Sequence, residues 1–93
     1  MKITQILILL VLVSFTLAQD CLHARILGAT YGTRDVTSVV AHKYNLGKKT
    51  IDATNDVFGD PLPGVDKTLT IVYEQCYNAA TLVVEEGGYL TLP

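Results

Sequence analysis

Tryptophan is absent from the 93 residues, methionine occurs once, and there are only two histidines and two cysteines. His23 and His42 form no HxH or HxxxH pair, so zinc has no local ligand set. Both are expected to be exposed, solvated imidazoles. Beyond the first eighteen residues serine occurs once, as Ser38 and without a G-x-S-x-G setting, so the usual serine nucleophile is excluded. Glu85 and Glu86 are adjacent, and neighbours on a strand point to opposite faces, so they cannot flank one scissile bond. Neither enzymatic activity, a cofactor nor a metal is expected. Seven basic residues are set against nine acidic ones, where nucleic-acid binders carry a basic stripe. No N-x-S/T sequon occurs, so N-glycosylation is not expected.

Long apolar runs are also missing, with one exception. Lys2 precedes the ten-residue run Ile6–Phe15, apolar except for Ser14, and Thr-Leu-Ala ends on the small Ala18. A positive start, a short apolar centre and small residues before a cut describe a secretory signal peptide. Ten residues fall short of the roughly 20 that span a bilayer. The reading is therefore a signal peptide over residues 1–18 and a single small β-rich domain over 19–93, secreted and extracellular, with no membrane anchor. Without Lys2 the domain has six basic and nine acidic residues, a net charge of −3.

A domain near 75 residues buries a modest core and is marginal without a staple. Cys21 and Cys76 are the only cysteines, and in an oxidising compartment one disulfide between them is expected. Closing a loop of that length is worth about 4 kcal/mol in chain entropy.

The chain then reads as β structure with one helical segment. Leu22, Ala24 and Ile26 alternate onto one face of a first strand. Leu27 breaks the phase before Gly28, so a bulge is expected to send Ala29 and Tyr31 to the opposite side. Val36, Val39, Val40 and Tyr44 sit at helical spacing, with Asp35 or Thr37 to cap the start and Asn45-Leu46-Gly47 to stop the end. A short strand is expected around Ile51 and Ala53. In Lys67–Gln75 the alternation is clean, with Leu69, Ile71 and Tyr73 inward. Gly87-Gly88 separates two further strands and reads as a hairpin turn. The expected fold class is mainly β: a small antiparallel β-sandwich or curled sheet with one short helix.

Asn55–Lys67, "NDVFGDPLPGVDK", crowds two glycines, two prolines, three aspartates and an asparagine into thirteen positions. Asn55, Asp56, Asp60 and Asp66 are hard oxygen donors, but their spacing is not that of an EF-hand. Turn chemistry accounts for the composition: Asn and Asp bond their own backbone, Gly allows positive φ and Pro presets φ. The stretch reads as a register device, with Phe58 plugging the core edge and Lys67 and Leu69 starting the central strand. A slip of one residue would put Leu69, Ile71 and Tyr73 into water.

"ILGATYGTRDVTSVV", "NDVFGDPLPGVDKTLTIVYE" and "LVVEEGGYLTLP", in that order over residues 26–93, resemble the C-terminal domain of the J-proteins of subfamily C, member eleven. Tyr31, Gly32, Asp35, Val36, Thr37, Asp60, Pro61, Gly64, Lys67, Leu69 and Tyr73 occupy matching positions and are read as fold-determining. The chain has no J-domain and no His-Pro-Asp triplet, so stimulation of Hsp70 does not carry over. The resemblance implies a free-standing, exported copy of a β-rich interaction domain, without catalysis.

The functional expectation is a secreted, non-enzymatic interaction module whose partner is an extracellular protein or a glycan, as a monomer or weak dimer. The binding candidates are Asn55, Asp56 and Asp60 in the loop, and Tyr77 and Tyr89, which would form an aromatic platform at one end of the sheet. Two alternatives are a host-defence or toxin-like effector, and a Ca²⁺- or glycan-binding lectin-like protein.

Overall fold

Strand β1 (Arg25–Tyr31) turns through Gly32-Thr33 into the two-residue β2 (Arg34–Asp35). Helix α1 (Thr37–Asn45) follows, then β3 (Thr50–Asp52), the four-residue α2 (Asn55–Phe58), β4 (Thr68–Gln75), β5 (Asn78–Glu85) and β6 (Tyr89–Thr91). This computed structural model describes residues 22–93; the expected signal peptide, residues 1–18, and Cys21 lie outside the described residues. The strands form a four-stranded sheet in the order β2-β1-β4-β5 and a two-stranded sheet β3-β6, antiparallel throughout. The fold is thus mainly antiparallel β with short helices. The one addition is α2, a single helical turn within the stretch expected to be turns alone. Among the described residues no helix is long and apolar enough to cross a membrane.

The bulge in β1 is real, but it acts differently from the sequence expectation. Ile26 faces Tyr73 and Gly28 faces Val72 across the ladder, leaving Leu27 as the extra residue. An inserted residue reverses the alternation, so Ala24, Ile26, Ala29 and Tyr31 all face the core rather than splitting between two faces. Leu22, expected inward, is 73% exposed.

Helix α1 buries Val40 and Tyr44, and its N-cap Val36 continues the same every-fourth-residue stripe, while Val39 is 39% exposed. The burying stripe is narrower than the sequence pattern implies. At the start, Asp35 Oδ1 accepts from the Thr37 amide at 2.9 Å and the Thr37 hydroxyl at 2.6 Å. Its end is a Schellman motif: Gly47 N–H donates to the Tyr44 carbonyl, Lys48 N–H to that of Lys43, and Gly47 takes φ 91.

Tyr31, Val36, Val40, Tyr44, Ile51, Leu69 and Ile71 are fully buried side chains. With Ala24, Ala29, Ala53, Phe58 and Leu92 they make one cluster, drawn from the inner face of the large sheet, from α1 and from the small sheet. Gly87-Gly88 does not close a hairpin between β5 and β6. Gly87 N–H donates to the Ala53 carbonyl and Ala53 N–H to that of Gly88, so the glycines stitch the chain to the residue after β3, and β6 pairs with β3. That crossover carries Leu90 and Leu92 to the side of the core where Ile51 lies.

Of the expected Cys21–Cys76 staple, Cys21 lies outside the described residues; Cys76, exposed in the turn between β4 and β5, is not a free thiol but is disulfide-bonded. The described elements are further joined by the apolar cluster and by a buried ion cluster at Lys67.

Candidate functional site

Lys67 is the one buried charged residue among the described residues, with 1% of its side chain exposed. The loop before β4 curls back so that its ammonium lies 2.7 Å from Asp60 Oδ1, 2.9 Å from Glu86 Oε1, 2.9 Å from the Val65 carbonyl and 3.3 Å from that of Leu62. The Tyr31 ring lies below it, 5.8 Å from nitrogen to centroid. The Tyr31 hydroxyl donates to Asn55 Oδ1 at 2.7 Å and lies 3.2 Å from Glu86 Oε1. Phe58 packs on the same ring at 5.2 Å, and Arg34 Nη1 donates to the Phe58 carbonyl. Gly32 takes φ 59 and lets the Lys67 stem pass; a Cβ there would stand 3.0 Å from Lys67 Cγ.

Hydrogen bonds to Asp60 and then Glu86 push the Lys67 ammonium up to about 12, against the pull of burial. The bond from Lys67 holds the Glu86 carboxyl below its ordinary range. Burial, reinforced by Glu86, raises the Tyr31 phenol. An ammonium has three protons to donate, and four oxygens surround this one. A lysine held charged up to about 12 and hydrogen-bonded on all sides is a poor nucleophile and a poor base near neutral pH. The cluster therefore closes the fold, and Asn55 Oδ1 and Asp60 Oδ1, from two of the expected binding residues, are engaged by it, although Asp60 itself is exposed.

The other candidates are scattered. Asp56 is exposed on α2, and Asp66 is exposed in the following loop. Among the described residues no three His, Cys, Asp or Glu side chains gather as metal ligands. Tyr77 and Tyr89 do not share a platform. Tyr77 occupies the turn before β5, Tyr89 follows the far end of that strand, and eight extended residues are roughly 26 Å long. His23 is exposed as expected, yet its ring stacks on Tyr44 at 4.6 Å; His42 is exposed on α1.

Two surface features remain. A shallow, open hollow of about 530 Å³ lies on the sheet beside α1, lined by Leu27, Thr30, Thr33, Asp35, Thr37 and Thr70 among others. Its one carboxylate, Asp35, is already bonded to Thr37, whose hydroxyl also accepts from the Ala29 amide at 2.9 Å. Those bonds hold Asp35 below the usual carboxylate range. The hollow's strongest polar groups are thus directed at one another.

The second feature is the β4–β5 tip. Gln75 pairs with Asn78, so Cys76 and Tyr77 make a two-residue turn with φ 54 and 67. Positive φ at both central residues is the type I′ pattern, which Asn-Gly fills without strain. Here it holds a 91%-exposed tyrosine instead. Neither the turn type nor its strain was legible from "EQCYNA", because no glycine marks it. In comparisons with known proteins the chain matches no family model, no curated protein and no solved structure.

Proposed function

We propose that this chain is a secreted, non-enzymatic interaction module that meets its extracellular partner, a protein or a glycan, with the β4–β5 tip. Tyr77 carries the reading. Its ring is 91% exposed, no ring or hydrogen-bond partner among the described residues holds it, and its backbone sits where L-residues other than Asn and Asp are rare. Local strain retained at a surface position is a mark of recognition sites. An exposed tyrosine offers an apolar face with a polar tip, suited to a sugar ring or to a pocket on a protein. Export is supported by the leader pattern in residues 1–18. A binding role rather than a chemical one is supported by the saturation of the Lys67 cluster. The resemblance to the J-protein domain points the same way, resting on the quoted residues alone.

The test is a paired capture from the medium around the source cells and a glycan array, with wild type and Tyr77→Gly. Glycine suits the turn, so the variant keeps the fold while losing the ring. Ligands held by the wild type and lost by Tyr77→Gly support the reading, and the array says whether they are sugars. Equal capture by both proteins overturns it.

A further inference from the structure

The two edges of the large sheet are built differently. At one edge β2 is two residues long and made of the charged pair Arg34-Asp35. At the other, β5 runs eight residues, Asn78–Glu85, with no proline, no lysine and no bulge in its ladder to β4. Natural sheets guard long edges with just those devices. Among the described residues no strand pairs with the outer side of β5.

The hydrogen-bonding groups of that edge follow from the register. Antiparallel pairs alternate between bonded and non-bonded, and the two-residue turn makes Gln75–Asn78 a bonded pair. The Glu86 amide, bonding the Lys67 carbonyl at 2.7 Å, confirms the same phase at the other end. Asn78, Ala80, Leu82 and Val84 therefore spend their backbone groups on β4. Ala79, Thr81, Val83 and Glu85 direct theirs outward. The Glu85 carbonyl is taken by Gly88 N–H at 3.0 Å, which closes the strand's end.

We propose that this edge pairs antiparallel with β5 of a second copy of the chain, about a two-fold axis at Leu82. Side chains opposite each other in an antiparallel pair lie on one face, so a self-pairing must match residues of equal parity. Centring on Leu82 sets Leu82 against Leu82 and Ala80 against Val84 on the inner face. It sets Thr81 against Val83 and Ala79 against Glu85 on the outer face. Leu82 and Val84 are only half-buried in one copy, and the pairing covers what remains. Glu85, the one charge on the strand, meets alanine instead of its own copy, so no like charges face each other across the axis. The product is a continuous eight-stranded sheet. Its two Tyr77 tips point in opposite directions, ten residues or roughly 33 Å apart along the strands. The pairing itself does not depend on what Tyr77 binds.

Amide hydrogen exchange of the full secreted protein at two concentrations tests this. On raising the concentration a hundredfold, the amides of Ala79, Thr81, Val83 and Glu85 are expected to slow at least tenfold. Those of Ala80, Leu82 and Val84 are expected to be protected throughout. In sedimentation the mass should double over the same range. The double variant Thr81→Lys/Val83→Lys places lysines opposite each other and should stay monomeric with an unchanged circular dichroism spectrum. Mixing it with Thr81→Glu/Val83→Glu should restore the doubled mass. Outward amides that exchange at one rate at every concentration overturn the proposal. So do outward amides protected at every dilution in a protein of monomer mass, because the edge is then covered by the chain's own residues.

Discussion

Lys67 and Glu86 lie nineteen residues apart in sequence, yet their side chains form a 2.9 Å ion pair, the lysine end of which is 1% exposed. The pair closes β4 against the end of β5, and Asp60 ties the preceding loop into it. Removing one partner of a buried pair leaves the others uncompensated, which is worse than never having had the pair. Lys67→Met should therefore lower the urea midpoint clearly, leaving Asp60 and Glu86 facing each other. Arg25→Met, which breaks an exposed pair of 3.7 Å with Glu74, should change stability by no more than about 0.5 kcal/mol. Equal midpoints for the two variants would remove the cluster from its structural role.

The same pairs set the pH range. The Lys67 ammonium, raised from 10.5 to about 12, contributes stability that is complete below 10.5 and lost as pH rises through 12. Tyr31, raised by burial, acts with the same sign from its ordinary 10.0 upward. Glu86 and Asp35, lowered from 4.5 and 3.8, contribute stability that is present above those values and lost as pH falls through the lowered ones. Thermal melts should show a plateau from about pH 5 to pH 10 with a fall on each side. In Lys67→Met the alkaline fall should shrink, which a pH series of melts reads directly.

Tyr31→Phe keeps the ring on Phe58 and beneath Lys67 but deletes the hydroxyl given to Asn55. The Asn55 oxygen loses its 2.7 Å donor, and destabilisation of about 1–3 kcal/mol is expected. Asn55→Ala in the Tyr31→Phe background should cost less than Asn55→Ala alone. A double-mutant cycle in urea measures that difference.

Deleting Leu27 should leave the protein folded. The ladder from Arg25 to Tyr31 becomes continuous, and Ile26 and Ala29 keep their inward faces. Deleting Val72 should abolish the fold, because either Leu69 and Ile71 or Tyr73 must then turn to solvent. Proton NMR dispersion of the two deletions distinguishes them.

At the tip, Tyr77→Gly relieves a left-handed tyrosine and should raise stability by about 1 kcal/mol. A stabilised variant that has lost its ligand would separate the two roles of this residue in one protein.

Period-two alternation made β4 legible in the sequence to within a residue, and with it Leu69, Ile71 and Tyr73 as core. Helical spacing located α1, and the phase break at Leu27 located the bulge. Pairing between distant segments was not legible. Gly87-Gly88 marks a turn equally well whether β6 returns to β5 or crosses to β3, and only the contents of the core decide between them. The sequence suggests that the loop is a register device. Its means were hidden, because a lysine at a strand start looks like any surface charge until Asp60 and Glu86 converge on it from opposite directions along the chain.

Tyr44 has a consequence of another kind. Its hydroxyl takes the Ala24 amide at 3.0 Å and gives its proton to the Pro93 carbonyl at 2.8 Å, so residues sixty-nine apart touch a single oxygen atom. A peptide ligature of a few residues across that gap would turn the folded body into a ring without displacing a strand. Two cargoes fused before Ala24 and after Pro93 would be held side by side.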